Sequence, residues 1–448
     1  MVETSATFTR GSVSRHVLEM VGTSALGLLA LFLTDILTLT YVSLLHDELL
    51  LATVGVAKTL LFINAVVVTG IVIAAGSLIS LRSGAGRWAS IGALNTHSLI
   101  LAAAVSTALS LVEWYKLDYF IDWLGDAATT TPQARQFVCL ALVSSILLAV
   151  TQTSAQALRA VGHSRRALGV VLSAAATLAI VDPILIFVLE LGLLGAGIAS
   201  VIAGVVSCAI GLHQTGRHVG LTRRIRLRLF KLYGARIAKI TLPYTLGNLA
   251  MPVALTFTLS QLALFGVSAM AGMALMDRIL QITYCLYFAL PSALIPIFVQ
   301  HLGARQHARG QAALRCGVKL VIGYGLAAWC VLYFAAPLIG QAFSLSEQAQ
   351  ALLVDLCRFG PGLWIMIGLD FIAISVFITL DRAWWITFYA WMRGTIGTIP
   401  FVLFGAEHFG ASGVVLGMWL GYALVALASI GTAVGAARRH PLYRAQVY

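Results

Sequence analysis

The chain has 448 residues, 60% of them hydrophobic and 10% charged, with a mean hydropathy of +0.93. A soluble domain carries about 25% charged residues, so these figures exclude a soluble globular protein and indicate an all-α integral membrane protein. The net charge of +12 reads as loop charge that sets orientation in a membrane, and no nucleic-acid partner is expected.

About twelve transmembrane helices are predicted, at roughly 18–43, 50–80, 88–112, 136–157, 167–189, 191–213, 240–264, 267–300, 320–343, 350–379, 384–405 and 409–436. Each apolar segment reaches the length a helix needs to cross a bilayer, and exceeds that of a barrel strand. Residues 1–16 show no cleavable signal pattern and are expected to form a tail ahead of the first span. Most of the 29 Lys and Arg residues fall at alternate connections, including Arg82 and Arg87, Arg159, Arg165 and Arg166, and Arg305, Arg309 and Arg315. The opposite connections collect acids: Asp47, Glu48, Glu113, Asp118, Asp122, Asp126 and Glu407. That asymmetry predicts cytoplasmic termini and an even number of spans.

The densest basic run contains Arg223, Arg224, Arg226, Arg228, Lys231, Arg236 and Lys239. It predicts a cytoplasmic linker over 217–239 between two six-helix halves, 17–216 and 240–437, with a second tail at 438–448. The halves carry a weak repeat. Gly84-Ala85 superposes on Gly303-Ala304 at an offset of 219, which also brings Lys58 onto Asp277. Gly192 and Gly195 parallel Gly410 and Gly413 at an offset of 218, each pair after a proline-bearing span (Pro183, Pro400). Six spans per half predict a parallel repeat, an architecture that places a site between the halves near the midplane.

Charged residues inside the spans are the candidates for chemistry. A carboxylate at membrane depth costs about 2.5–3.5 kcal/mol on insertion scales. Asp35 and Asp182 each interrupt an apolar run of the first half. Two carboxylates close together cannot both ionise cheaply, which makes a cation or proton site. Pro183 removes a hydrogen bond to the Ala179 carbonyl and is a candidate hinge. The alternative is a structural carboxylate held by Thr34, Thr38 or Thr177. In the second half, Asp370 lies mid-span without a nearby charge on its own helix, and Asp277 adjoins Arg278. Asp355 and Arg358, three apart, are expected to neutralise each other. Lys58 is either an ion-pair partner of Asp35 or Asp277, or a cavity cation beside Arg278. Tyr284 and Tyr287 are cavity candidates that would stack on a cation, against helix packing as the plainer reading. Trp384 and Trp385 read as an interfacial belt. The six cysteines are scattered, so neither disulfides nor a metal site is expected. No phosphate loop, nucleophile elbow or zinc motif appears, which predicts a non-enzyme without a cofactor.

Several segments together resemble the multidrug and toxic compound extrusion (MATE) family, within the multidrug, oligosaccharidyl-lipid and polysaccharide exporter superfamily. They are Asp35 followed by Tyr41 to Leu45, Leu51 to Gly55, Leu81 to Gly86, Leu158 to His163, and Asp182-Pro183 followed by Gly195-Ala196. The family often has Asn where this chain has His163, and Asn four residues before the span-five Asp, where Leu178 stands. The resemblance implies a V-shaped central cavity and a secondary antiporter of organic cations, with H+ or Na+ as coupling ion. Asp35, Asp182, Asp370 and Asp277 would be the coupling carboxylates. It implies a small, organic, cationic substrate, a monomer among membrane lipids, and a place in the bacterial inner membrane. The alternative within the superfamily is a flippase of a lipid-linked glycan or another anionic lipid, with the buried basic residues lining the cavity.

Overall fold

The computed structural model describes residues 6–44, 48–117, 119, 132–222, 225–343 and 345–439. The acids expected at Asp47, Asp118, Asp122 and Asp126, the linker residues Arg223 and Arg224, and the tail from 440 onward lie outside the described residues. Regular structure among the described residues is entirely helical. The helices are α1 (Val13–Ser43), α2 (Glu48–Gly84), α3 (Ile91–Tyr115), α4 (Pro132–Ala160), α5 (Ser164–Pro183), α6 (Gly192–His218), α7 (Leu227–Asn248) and α8 (Ala250–Ala263). They continue as α9 (Val267–Thr283), α10 (Cys285–Gly303), α11 (His307–Ala342), α12 (Glu347–Thr379), α13 (Trp384–Gly394) and α14 (Ile399–Arg439).

Eleven stretches of the described residues are long and apolar enough to cross a membrane. The last of them, Trp384–Arg439, is 56 residues long, about twice what one crossing needs. Gly410 breaks its helix with φ 63° and ψ −146°. Across that break Gly405 meets Gly413, Phe401 meets Gly417, and Gly397 meets Gly421, backbone against backbone. The residues of each arm are four apart, one face of a helix, so the arms fold back on each other and the predicted twelve spans are recovered. The seventh stretch runs Leu227–Ala263 and the next begins at Val267, after Gly266 at φ 92°. The basic segment expected as a linker thus carries the first turns of α7 from Leu227 onward.

The chain forms two compact units, residues 6–10 with 22–242, and 11–21 with 243–439. In the first, α4 packs against α2, α3, α5 and α6. In the second, α12 packs against α9, α10, α11 and α14. Each of these central helices is the fourth span of its half.

The weak sequence repeat has a sharp backbone counterpart. Left-handed residues occur at Gly86 (φ 71°) and Arg305 (φ 57°), at Gly162 (φ 95°) and Asp381 (φ 57°), and at Gly192 (φ 54°) and Gly410 (φ 63°). The first two pairs share the 219 offset and the third the 218 offset. The hydrogen bonds that end the helices repeat with them. Arg87 N donates to Arg82 O at 2.8 Å and Gln306 N to His301 O at 2.9 Å; His163 N donates to Leu158 O at 2.9 Å and Arg382 N to Phe377 O at 2.8 Å. These are the turns that satisfy the last carbonyls of a helix through a residue at positive φ.

Left-handed backbone costs a side-chain-bearing residue about 1–2 kcal/mol. Arg305→Gly is therefore expected to raise thermal stability by up to about 1 kcal/mol. Gly162→Ala should lower it by about 2 kcal/mol, because the new Cβ would also lie 2.5 Å from Thr7. Unfolding of the two purified variants in one detergent measures both.

Candidate functional site

In the first unit Asp182 sits on the last turn of α5, only 1% exposed. Thr38 Oγ1 of α1 donates to its Oδ2 at 2.5 Å, while its Oδ1 has no hydrogen-bond partner. Leu178 offers no polar partner from α5, and α1 supplies one instead. Thr38 is one turn beyond Asp35 on the same helix. Asp35 itself is exposed, so the two aspartates are joined through α1 without a direct bond between them. Pro183 leads into a π-helical turn, Ile184–Val188, closed by Leu189 N donating to Ile184 O at 3.0 Å. A π turn inside a helix is a common companion of functional sites, and this one lies directly after the buried carboxylate. Gly195 of α6 packs on the Leu185 carbonyl, where a Cβ would come within 2.8 Å.

In the second unit Asp370 of α12 is 4% exposed and accepts from Arg393 Nη1 of α13 at 2.7 Å. Its Oδ1 stays buried without a partner. The lone charge read from the sequence is thus an ion pair whose cation comes from the next helix. Arg393 also lies over the Tyr422 ring of α14, 5.6 Å from its centroid. Asp355 and Arg358 do not neutralise each other as expected. Asp355 Oδ2 accepts from Ser412 Oγ at 2.8 Å, and Arg358 lies over the Tyr333 ring at 5.6 Å. Asp277 is half-buried and Arg278 exposed, with Arg278 Nη1 donating to Gln281 Oε1 at 3.2 Å. Lys58 is exposed, and no ion pair places it with an aspartate among the described residues.

Tyr284 and Tyr287 belong to packed core rather than to an open cavity wall. Both are fully buried. Tyr284 stacks on Trp364 at 5.1 Å between centroids and meets Tyr287 at 5.0 Å. Tyr287 Oη donates to Val321 O at 2.8 Å. Gly325 and Gly368 press on the Tyr287 ring, and Gly360 on Trp419. Trp384 is exposed, as an interfacial residue is expected to be.

Glu113 is a site that sequence reasoning assigned to a loop. It lies within α3, 4% exposed, with neither carboxylate oxygen hydrogen-bonded. The signal in the sequence was its spacing: Ser106, Ser110 and Glu113 follow one another at helical intervals of four and three on a single face.

Among the described residues no group of three or more His, Cys, Asp or Glu could hold a metal ion. The arrangement instead offers buried carboxylates with one free oxygen, chemistry that suits a proton or a monovalent cation.

Comparison with known proteins gives these features a setting. A family model described as MatE matches residues 24–184 and 243–384. A Pseudomonas savastanoi protein described as an uncharacterized 21 kDa protein is 34% identical over 232 residues, 50% of this chain and 74% of its own length. A Shewanella oneidensis protein described as an FAD transporter is 26% identical over 275 residues, 59% of this chain and 61% of its own. This chain spans just under two thirds of that relative. Among solved structures, a mutant of the Vibrio cholerae MATE transporter VcmN superposes with a TM-score of 0.92 at 22% identity, covering 96% of this chain and 98% of that one. A superfamily transporter from Pyrococcus furiosus, described as having a binding pocket of reverse polarity that suggests a different function, superposes with a TM-score of 0.87 at 18% identity over 98% of each chain.

The Asp370–Arg393 pair generates a stability expectation. Losing one partner of a buried pair leaves an uncompensated charge. Arg393 is 25% exposed along its side chain, so Arg393→Met should cost about 2–3 kcal/mol, below the fully buried range. The double variant Asp370→Asn with Arg393→Met should recover most of it. A double-mutant cycle in detergent reads the coupling.

Proposed function

The chain belongs to the MatE family, the multidrug and toxic compound extrusion transporters, and from that premise we propose a secondary active antiporter that exports small organic cations in exchange for protons or sodium ions. The observation that carries this reading is Asp182: buried, tied by one oxygen to Thr38 of α1, and free at the other. A hydrogen bond to an ionised carboxylate is roughly twice as strong as one between neutral groups. Loading a proton or cation on Asp182 therefore weakens the tie that holds α1 to α5. The face of α1 opposite the core is exposed at Leu26, Leu33 and Leu37, so α1 meets little packing resistance on that side when the tie loosens. Asp35, one turn from Thr38, places a second carboxyl on the same helix. Asp370 and Asp277 complete the set of candidate coupling carboxylates, Asp370 with Arg393 as its counter-charge.

A coupling ion can drive export only through its difference in affinity for the inward- and outward-facing forms. The α1–α5 tie is the contact in this chain that such a difference would act on. The basic connections support cytoplasmic termini, in this reading at a bacterial inner membrane, and a single chain with two units can work as a monomer.

A second reading has a specific observation in its favour. The Shewanella oneidensis relative is described as an FAD transporter, and Lys58 and Arg278 are both exposed. Under it the cargo is anionic, a flavin dinucleotide or the head group of an anionic lipid, and the two cations meet it.

The test is efflux from proteoliposomes of a fluorescent organic cation, and separately of flavin dinucleotide, under an imposed pH gradient and then a sodium gradient. Cation efflux that follows one gradient and drops by about tenfold or more in Asp182→Asn and in Asp35→Asn is expected. Wild-type rates in both variants would sink the coupling role. Efflux of the dinucleotide alone, lost in Lys58→Ala or Arg278→Ala, would replace the first reading by the second.

A further inference from the structure

Glu113 has no part in the coupling scheme above, yet it is the most completely unpartnered acid among the described residues. Burying an ionised carboxylate without hydrogen bonds is costly, and a buried unsatisfied group in a folded protein calls for an explanation. The surroundings supply one. On the same face of α3, one and two turns back, Ser110 and Ser106 join a buried polar cluster with Asn64 of α2 and Ser145 of α4. Asn64 Nδ2 lies 3.0 Å from Ser110 Oγ, 3.3 Å from Ser145 Oγ and 3.3 Å from Ser106 O. Ser106 Oγ donates to Asn64 Oδ1 at 3.0 Å, and Ser145 Oγ donates to Leu142 O at 2.7 Å.

An amide NH2 has two hydrogens, and here three acceptors compete for them. Asn64 is also the polar side chain next to the Glu113 carboxyl. Turning one of its hydrogens toward Glu113 leaves one for the three acceptors of the cluster, and two of those, Ser110 Oγ and Ser145 Oγ, are close enough to serve each other instead. The hydroxyls of Ser110 and Ser145, 3.2 Å apart, can rotate to follow. The cluster is therefore able to receive a charge on Glu113 when the proton leaves, and to close on itself when the proton returns.

Among the described residues of the packed elements, no ion pair reaches this acid. On α2, Lys58 is exposed. On α4, Arg135 is exposed and Cys139 half-buried. On α3 itself, Lys116 lies over the Tyr115 ring and both point outward. Val54, Ala57 and Leu60 of α2, with Phe137, Val138 and Leu142 of α4, belong to one buried apolar cluster of the same unit. The site also differs from that of Asp182 in its supports. Glu113 stands among α2, α3 and α4, whereas Asp182 is held by α1 on α5.

We propose that Glu113, with Asn64, Ser110 and Ser145 as its switchable hydrogen-bond shell, is a second proton-binding site of the N-terminal unit. In the step concerned, the carboxyl O–H bond breaks, the proton passes to water, and its electron pair stays on the carboxylate as Asn64 turns to donate to it. Its use in transport rests on the proton-coupled reading given above; its existence does not.

Infrared difference spectroscopy tests it on the full chain in lipid, titrated with acid in sodium-free buffer. A carboxylic C=O band that appears on acidification should persist in the Asp35→Asn, Asp182→Asn double variant and vanish when Glu113→Gln is added. Asn64→Leu, which leaves the acid in place, should displace the midpoint of that band and so covers the case in which Glu113→Gln fails to fold. A spectrum that Glu113→Gln leaves unchanged overturns the proposal, as does a Glu113 band that does not respond to pH. A band that responds to sodium at constant pH and not to acid also overturns it. Where the titration succeeds and wild-type proteoliposomes show no pH-driven efflux, the proton-coupled reading fails and the proton site stands.

Discussion

Close approach of helix backbones is the constraint on which the rest of this molecule depends. At membrane depth every backbone polar group has to be satisfied within the protein, and apolar surface alone gives helices no reason to associate. Association then rests on packing, and packing at short range needs missing side chains. Gly405 and Gly413, Gly397 and Gly421, and Gly417 against Phe401 join the two arms of the last hairpin in this way. Gly204 and Gly211 of α6 do the same against Leu147 and Ser154 of α4. Where a large residue does enter the interior, glycine makes room for it, as Gly360 does for Trp419 and Gly368 for Tyr287.

That constraint acts twice along the chain, with one scaffold and two chemistries. The helix-ending turns at Gly86 and Gly162 recur at Arg305 and Asp381 with nearly the same hydrogen bonds, and the positive φ of Gly192 recurs at Gly410. The fourth span of each half is the element that the others pack around. The polar groups do not recur. Among the described residues, the first unit has buried acids without ion-pair partners, Asp182 and Glu113. The second pairs Asp370 with Arg393 and gives Asp355 a serine. A duplicated backbone that keeps its turns and loses its polar symmetry is what results when packing is set by backbone contacts and function by a few side chains.

The spans, their boundaries and the repeat were legible in the sequence because they depend on local signals: apolar length, charge at the ends, and glycine at fixed offsets. The seventh span was predicted to end at 264, inside an uncharged run that by itself marks no boundary; the helix ends at Ala263 and the next begins at Val267, with Gly266 at positive φ between them. Pairings between helices were not legible, since a side chain's partner across a bundle leaves no trace in its own neighbourhood. Thr38 as the partner of Asp182 was one alternative of three. Arg393 as the partner of Asp370 was hidden by 23 residues of separation. Tyr284 and Tyr287 show the converse error. Aromatic type suggested a cation-stacking wall, while the glycines that seat the Tyr287 ring inside the core, Gly325 and Gly368, lie on other helices.

Glu113 marks the boundary between these two kinds of information. By position it looked like an acid of an outer connection, since the apolar run ends just before it. Its helix continues to Tyr115, and continuing by one turn moves the carboxyl from solvent to the interior, beneath Leu117. The face it occupies was visible beforehand as Ser106, Ser110 and Glu113. A polar stripe on an otherwise apolar helix is more informative than any of its members. A lone serine satisfies itself on its own helix, as Thr107 does on the Ala103 carbonyl, whereas three aligned polar groups require a neighbouring helix to answer them. Here α2 answers with Asn64 and α4 with Ser145, and the answer stops one turn short of the acid. What remains there is a buried carboxyl beside a hydrogen-bond donor whose hydrogens the cluster already claims, so the presence or absence of one proton decides how they are shared.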